Sequence, residues 1–231
     1  MTPSPLKMMS LLWDEPVGPV RAAVIVQHGF ARAPQRLAGI AGLLAARGLL
    51  VVRPRVPSLR PRHSLQDSRW LDDLGRETVS QIRRKAGNRP IIGVGHSAGA
   101  AVVSGWSADL AGLVLLDPVD RHGRIADLAR ADARSDVPIR VISADPSGCN
   151  RHGRAAESLA AAGRIEAGTT WVTIEHTAHQ DPERIPASLE PADVADDDLL
   201  ARWACGRGGT SERVCRWGHR LVEDIEAFLP M

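Results

Sequence analysis

The segment Gly95-His96-Ser97-Ala98-Gly99 constrains the fold of this chain more than any other part of the sequence. It follows the apolar run Ile91–Val94, which is typical of a buried strand, and it precedes Ala100–Val103, which favours a helix. A G-x-S-x-G sequence between a strand and a helix predicts a sharp turn that raises a serine hydroxyl above the sheet edge. Side chains at positions 95 and 99 would crowd such a turn. We therefore interpret Ser97 as a nucleophile rather than as part of a merely structural turn.

The remainder of the chain alternates between predicted strands and helices, which indicates the α/β class with a mostly parallel sheet and helices on both faces. No repeat, low-complexity tract or linker divides the sequence, so residues 1–231 are expected to form a single domain. The patterns predict strands over residues 7–13, 21–27, 49–52, 91–94, 113–116, 137–142 and 170–174. They predict helices over residues 35–46, 67–86, 153–162 and 210–228, and a loop over residues 54–65.

Charge and hydropathy exclude several classes of partner. The net charge of +2 is too small to argue for nucleic acid or an anionic membrane surface. No stretch approaches the length of a membrane span. The N-terminus lacks a charged region followed by a long apolar core, so we expect a cytoplasmic protein. Oligomeric state is not indicated by the sequence.

Cysteine usage says little about compartment, because the chain has only three cysteines. Cys205 and Cys215 flank the glycine-rich segment 206–209 and would be able to pair in an oxidising compartment. In the cytoplasm we expect free thiols. No cysteine lies in the turn at Ser97, which disfavours a cysteine nucleophile.

A serine nucleophile needs a histidine base within hydrogen-bonding reach, and on this fold the base follows the last strand. His176 and His179 are the two candidates there. We favour His179, because it lies three residues beyond His176 in a loop able to cross Ser97, whereas His176 is at the strand end. The same pair resembles a metal-binding spacing, but no further ligand accompanies it, so no metal is expected.

The acid that orients the histidine has three candidates, all at strand ends. Asp117 directly follows the strand at 113–116, and Pro118 would stiffen its loop. Asp120 lies in the same loop, and Asp145 follows the strand at 137–142. We favour Asp117 and keep Asp120 and Asp145 as alternatives.

An oxyanion hole requires two backbone amides directed at the developing negative charge. One is expected from Ala98, the residue after the nucleophile, and the other from the loop that follows the strand at 21–27. Phe30 is the candidate in that loop, and Gly29 would let the backbone turn there. His28 is interpreted as a structural hydrogen-bonding residue. This chemistry needs no cofactor.

With these residues assigned, the chain resembles the α/β-hydrolases over nearly its whole length, and most closely the chlorophyllase-like and cutinase-like polyester hydrolases. Segments similar to theirs are Val26–Phe30, Gly48–Pro54, Asp117–Asp120 and Ala178–Asp181. Pancreatic-type lipases use the aspartate of a similar Leu-Asp-Pro as their acid, which favours Asp117. Cutinase-like enzymes instead keep an acid in a later loop, where this chain has Ser147, and they usually carry a secretion signal.

The expected activity is hydrolysis of carboxylic esters, with small-molecule or polymeric esters as substrates. An acyltransferase or perhydrolase with the same residues, or a non-catalytic binding protein of this fold, are the alternatives. Residues 121–136 are too few for a large cap domain. We therefore expect an open cleft with walls from residues 54–66, from Phe30 and from the loop after His179.

Overall fold

The structure, a computed structural model, describes residues 10–58, 64–65, 67–120, 123–130, 137–190, 205 and 208–230. Its strands form one seven-stranded sheet in the order β1-β3-β2-β4-β5-β6-β7. Neighbouring strands are parallel except for β1, which pairs antiparallel with β3 at one edge. The strands are β1 (Leu11–Asp14), β2 (Ala22–Gln27), β3 (Leu49–Pro54), β4 (Ile91–His96), β5 (Gly112–Leu116), β6 (Ile139–Ser143) and β7 (Trp171–Thr173).

Helices cover both faces of this sheet, as the alternating pattern predicted. The described α-helices are α1 (Ala38–Ala45), α2 (Ser68–Ala86), α3 (Ala98–Ser104), α4 (Arg124–Arg130), α5 (Arg154–Ala161) and α6 (Ser211–Glu226). Buried side chains from α2, α3, α4 and α5 pack on one face, and those from α1 and α6 pack on the other. The α/β fold class is therefore confirmed.

Strand β2 shows why the central strands are apolar throughout. Ala23 and Ile25 belong to the core under α2 and α3, whereas Ala22, Val24 and Val26 belong to the core under α1 and α6. Successive side chains of a strand point to opposite faces, so a strand covered on both sides reads as a continuous apolar run. The carboxyl ends of the parallel strands meet at one edge, and there the polar loops collect.

Several boundaries differ from the sequence-based predictions. Strand β1 begins at Leu11, and residues 7–9 of the predicted strand lie outside the described residues. The helix predicted from residue 35 starts with a 3-10 turn, Pro34–Leu37, before α1. Helix α4 was not predicted, because its seven residues are too few to show a clear helical period. Part of the predicted loop 54–65 also lies outside the described residues, at 59–63.

Between β5 and β6 the described residues contain only α4, which leaves no room for a large cap domain. Within the described part of the chain, no helix combines the length and the apolar character needed to cross a membrane. That residues 1–231 form a single domain stays a prediction.

Candidate active site

Ser97 occupies the turn between β4 and α3, directly above the carboxyl edge of the sheet. Its φ of 57° and ψ of −126° lie in a region that residues other than glycine rarely adopt. Two backbone hydrogen bonds hold this geometry: Ser97 N donates to the Leu116 carbonyl (3.0 Å), and Val119 N donates to the Ser97 carbonyl (3.1 Å). Such strain persists only where surrounding structure over-determines it, and it concentrates at functional sites.

The glycines on either side of Ser97 are required by contact with the backbone, as the sequence predicted. A Cβ atom at Gly95 would lie 2.5 Å from the Ala100 Cα atom. At Gly99 it would lie 2.3 Å from the Gln27 carbonyl oxygen. Both distances are far below van der Waals contact with groups that cannot rotate away. The turn therefore exists in this form only with glycine at both positions.

Ser97, His179 and Asp117 form one chain of hydrogen bonds. His179 Nε2 lies 2.8 Å from Ser97 Oγ, and His179 Nδ1 lies 2.5 Å from Asp117 Oδ2. An ionised carboxylate only accepts, so Nδ1 carries the proton and Nε2 is left to accept from the serine hydroxyl. This arrangement of nucleophile, base and orienting acid is what serine acyl transfer requires.

Asp117 is the aspartate that meets the histidine, and the other two candidates lie elsewhere. Asp117 is 1% exposed, and its Oδ1 accepts from Ala144 N (3.0 Å) and from Asn150 Nδ2 (3.1 Å). Asp120 Oδ2 accepts from Ala126 N in α4, and Asp145 Oδ2 accepts from the backbone of the exposed His176. Of the three, only Asp117 has both carboxylate oxygens bonded within the site.

Two buried groups hold the His179 loop from below. His96 Nε2 lies 2.7 Å from the carbonyl oxygen of His179, and a carbonyl only accepts, so His96 donates. Asp181 is fully buried, and its Oδ2 accepts from Ala178 N (2.9 Å) and from Gly209 N (2.6 Å). The backbone on both sides of the imidazole is thus fixed by polar side chains.

The two oxyanion candidates flank Ser97. Ala98 is the first residue of α3, and the amides of a first helical turn have no partner within the helix. Phe30 lies in the loop after β2 and faces the same cavity as Ser97. The neighbouring His28 is buried, donates from Nδ1 to the Gly29 carbonyl (2.9 Å) and accepts at Nε2 from Val56 N (3.2 Å). Burial lowers its pKa, so His28 is a neutral structural residue, as the sequence indicated.

A cavity of about 440 Å³ opens over Ser97 and His179. Phe30 and the residues after His179 contribute to its wall, as expected. The loop after β6 and Cys205 also line the cavity, which the sequence did not indicate. The described lining residues are Gly29, Phe30, Ala31, Arg32, His96, Ser97, Val119, Gly148, Cys149, Arg151, His179, Gln180, Glu183 and Cys205. Residues 59–63 and 66 of the expected 54–66 wall lie outside the described residues.

One side of the cavity floor is a buried ion cluster around Glu183. The Glu183 side chain is 6% exposed, and its Oε1 lies 3.1 Å from Arg32 Nε and 3.4 Å from His96 Nδ1. Burial alone would raise the pKa of Glu183, but contact with His96 and the charges of Arg32 and Arg36 outweigh burial and lower that pKa. Glu183 is therefore ionised and compensated. Arg32 is bound to it, which leaves Arg151 as the lining cation without a carboxylate partner among the described residues.

The cysteines pair differently from what the sequence suggested. Cys149 and Cys205 form a disulfide with Cα atoms 5.5 Å apart, and the buried Cys215 is not part of a disulfide. The expected free thiols and the Cys205–Cys215 alternative are both wrong, because the fold brings the loop after β6, not α6, against Cys205. Free thiols were expected because disulfides are rare in the cytoplasm, and the cytoplasmic location itself stays a prediction.

Comparison with known proteins agrees with this geometry. The profile of the alpha/beta hydrolase family matches residues 23–228, nearly the whole chain. The chain belongs to the alpha/beta hydrolase family. No significant match was found among curated proteins.

Solved structures share the fold of this alpha/beta hydrolase at low sequence identity. A serine hydrolase without lid from Xanthomonas campestris has 18% identity and a TM-score of 0.60, covering 96% of this chain and 90% of that chain. A soluble variant of Saccharomyces cerevisiae monoglyceride lipase has 10% identity and a TM-score of 0.62, covering 96% and 92%. An alpha-beta serine hydrolase homologue from Coxiella burnetii has 16% identity and a TM-score of 0.61, covering 77% and 86%. Identities this low show the common fold alone.

Sequence reasoning missed three residues of this hydrolase site: Asn150, Glu183 and Arg151. None belongs to a motif, and each acquires its position from a loop whose path depends on the rest of the fold. The clearest available signal was the segment 144–150, where Ser147 stands in place of the acid expected in that loop and Asn150 follows three residues later. Within the described residues, no cluster of three or more histidine, cysteine or acidic side chains suits a metal ion.

Proposed function

We propose that this protein hydrolyses carboxylic esters through a covalent acyl-enzyme on Ser97. The observation that supports this most directly is the hydrogen-bonded chain from Ser97 through His179 to Asp117, opening into a cavity of about 440 Å³. Membership of the alpha/beta hydrolase family favours hydrolysis in general. The ester as substrate is our inference from the serine nucleophile and the accessible cavity.

In the proposed acylation step, Ser97 Oγ attacks the ester carbonyl carbon while its proton passes to His179 Nε2. The carbonyl oxygen becomes an oxyanion, stabilised by the amides of Ala98 and Phe30, each typically worth roughly 3 kcal/mol of barrier. Asp117 keeps the imidazole in the correct tautomer and stabilises its charged form. Collapse of the intermediate breaks the ester C–O bond, and His179 returns the proton to the departing alcohol.

Deacylation repeats these steps with water as nucleophile. His179 Nε2 removes a proton from water, the hydroxide oxygen attacks the acyl carbon, and a second oxyanion forms in the same place. Its collapse releases the carboxylic acid and returns the proton to Ser97 Oγ. The residues provide every proton transfer, so no cofactor enters the cycle.

The substrate is proposed to be a small-molecule or polymeric ester that reaches the site without a closing cap. The short connection between β5 and β6 supports this, and so does the similarity of segments 26–30 and 117–120 to chlorophyllase-like and cutinase-like enzymes. A polymer requires a cleft accessible from outside, and Ser97 and His179 both line an open cavity.

The test combines a p-nitrophenyl ester chain-length series with labelling by a fluorophosphonate probe. Wild type should hydrolyse the esters and be labelled, and Ser97→Ala should lose labelling and hydrolysis by at least about a thousandfold. Ser107→Ala, outside the cavity, serves as the control that retains both. Absence of labelling in folded wild type would favour the non-catalytic binding protein. Adding alcohol or peroxide and measuring how the acyl group partitions from water would reveal an acyltransferase or perhydrolase instead.

A further inference from the structure

A second, smaller cavity adjoins the one above Ser97. Its volume is about 180 Å³, and Val119 and Arg151 line both cavities. The described residues that line it are Pro118, Val119, Asp120, Asn150, Arg151, Arg154, Ala155 and Ser158. Val119 and Arg151 therefore form a wall common to both cavities, and an extended ligand that occupied both would pass Val119.

The charged groups of this second cavity leave it electropositive. Among the described lining residues, Arg151 and Arg154 each contribute a positive charge and Asp120 contributes a negative one, which gives a formal net charge of +1. Neither guanidinium has a carboxylate within ion-pair distance among the described residues. The nearest compensating contact is neutral: Arg151 Nη1 donates to the Asp120 carbonyl oxygen at 3.2 Å. The remaining N–H groups of both guanidinium ions are available to a ligand.

Arg151 is held in place by the residues before it. Its φ of 54° is a left-handed conformation, which a non-glycine residue adopts only under constraint. Asn150 supplies part of that constraint, since its side chain bonds Asp117 Oδ1, the Asp145 carbonyl and Ser147 N. Cys149 adds a further constraint through its disulfide to Cys205. The guanidinium thus extends from a fixed backbone, which reduces the entropy lost on binding a ligand.

Arg32 differs from these two residues although it also lines the larger cavity. Its guanidinium is bound to the buried Glu183 at 3.1 Å, so its charge is already compensated. An anionic group entering the site would therefore find uncompensated positive charge on the side of Arg151 and Arg154. Asp120 Oδ1 would repel an anion placed against it, which directs the anion toward the two arginines.

From this arrangement we propose that the preferred substrate is an ester that carries a carboxylate, bound by Arg151 and Arg154 in the second cavity while its ester carbonyl lies at Ser97. This inference rests on the proposed ester hydrolysis. A guanidinium binds a carboxylate by paired N–H donors in one plane, which fixes orientation as well as charge. The net charge of +1 on the described lining residues suits a single carboxylate.

The test compares kcat/KM for matched charged and neutral esters. One pair varies the acyl part: the p-nitrophenyl monoester of glutaric acid against p-nitrophenyl pentanoate. The other varies the alcohol part: 4-carboxyphenyl butyrate against phenyl butyrate. The readout is the ratio of charged to neutral kcat/KM, because losses through misfolding affect both substrates and cancel in the ratio.

Wild type should prefer the charged ester in one of the two pairs. Arg151→Gln and Arg154→Gln should each lower that ratio by about tenfold, the size expected for one charge-assisted hydrogen bond. Arg151→Lys keeps the positive charge but not the paired N–H donors, so it should lower the ratio less than Arg151→Gln does. Arg216→Gln, which removes an exposed arginine of α6 outside both cavities, should leave the ratio unchanged.

Ratios unaffected by both glutamine variants, in both pairs, would overturn the proposal. If wild type still hydrolysed the neutral esters and Ser97→Ala did not, the proposed ester hydrolysis would stand although the preference for a carboxylate had failed. A wild-type ratio that falls on raising the ionic strength would add support, since salt screens charges at a partly exposed site.

Discussion

The side-chain amide of Asn150 donates a hydrogen bond to Asp117 Oδ1 across 3.1 Å, on the carboxylate oxygen opposite to the one that binds His179. Asn150 is 1% exposed, and its other contacts fix it to the backbone of its own loop. The amide therefore connects the loop after β6 to the orientation of the carboxylate after β5. Asn150 touches no reacting atom and is a positioning residue.

Asn150→Ala should lower kcat for ester hydrolysis by roughly tenfold to a hundredfold with little change in KM. The remaining Ala144 amide still binds Asp117 Oδ1, but the carboxylate loses one of its two anchors there and holds His179 less well. Steady-state kinetics on p-nitrophenyl butyrate separates the two constants. Asn88→Ala, at an exposed asparagine after α2, is the matched control. A rise in KM at constant kcat would show that Asn150 shapes substrate binding instead.

Asp117→Asn should lower kcat by about ten-thousandfold, because a neutral amide favours the wrong tautomer of His179. Asp145→Asn should retain activity to within about tenfold, since Asp145 bonds the backbone of His176 rather than the His179 imidazole. Asp120→Asn is expected to lose far less than Asp117→Asn. The measurement is kcat for the three variants in parallel, and an equal loss at Asp120 or Asp145 would displace Asp117 from its proposed role.

The ion cluster of Glu183, Arg32 and His96 should make the free energy of unfolding fall as the solution becomes acidic. Because the pKa of Glu183 is lowered in the folded state, its stabilising contribution is present above the unfolded pKa and disappears as pH falls through the folded pKa. Glu183→Gln should therefore lose stability at neutral pH and converge on wild type in acid. Urea unfolding across the acid range measures the difference in free energy of unfolding.

The pKa of Asp224 is shifted in the opposite direction to that of Glu183, so its effect on stability has the opposite pH dependence. Burial raises its pKa against the opposing effect of Arg220, so the carboxyl stabilises the fold below its unfolded pKa and loses that contribution as pH rises through the folded pKa. The difference in stability between wild type and Asp224→Asn should thus move against wild type as pH rises. Parallel slopes for the Glu183 and Asp224 variants would contradict the assignment of both shifts.

Reduction of the Cys149–Cys205 disulfide should destabilise the protein and loosen the cavity wall. The bond joins residues separated by 56 positions, and removing such a cross-link typically costs roughly 2–4 kcal/mol of folding free energy. The double variant Cys149→Ser/Cys205→Ser and reduced wild type should show the same lower Tm and a higher KM. Cys215→Ala should retain a reductant-sensitive Tm. If the Tm of wild type did not change on adding the reductant, no disulfide would be forming in solution.

The fold class could be predicted from the sequence because the patterns that indicate strands and turns are local. Continuous apolar runs such as Leu113–Leu116 indicate strands buried on both faces. The two glycines around Ser97 indicate a turn in which a larger side chain at either position would clash with the backbone. The order of nucleophile, acid and base along the chain then limited the candidates for each role. His179 and Asp117, both favoured from the sequence, are the residues whose side chains meet Ser97 in one hydrogen-bonded chain.

Only the tertiary structure decided which loops approach one another. The sequence favours Asp117 among three aspartates near strand ends but leaves Asp120 and Asp145 as candidates. The packing of β5 beside β6 brings Asp117 to Asn150, and the packing of β6 beside β7 brings Asp145 to His176. The tertiary structure also pairs Cys149 with Cys205 and leaves Arg151 without a carboxylate partner among the described residues. Local propensity determines strands and turns one segment at a time, whereas contacts between distant loops depend on how the sheet orders its strands.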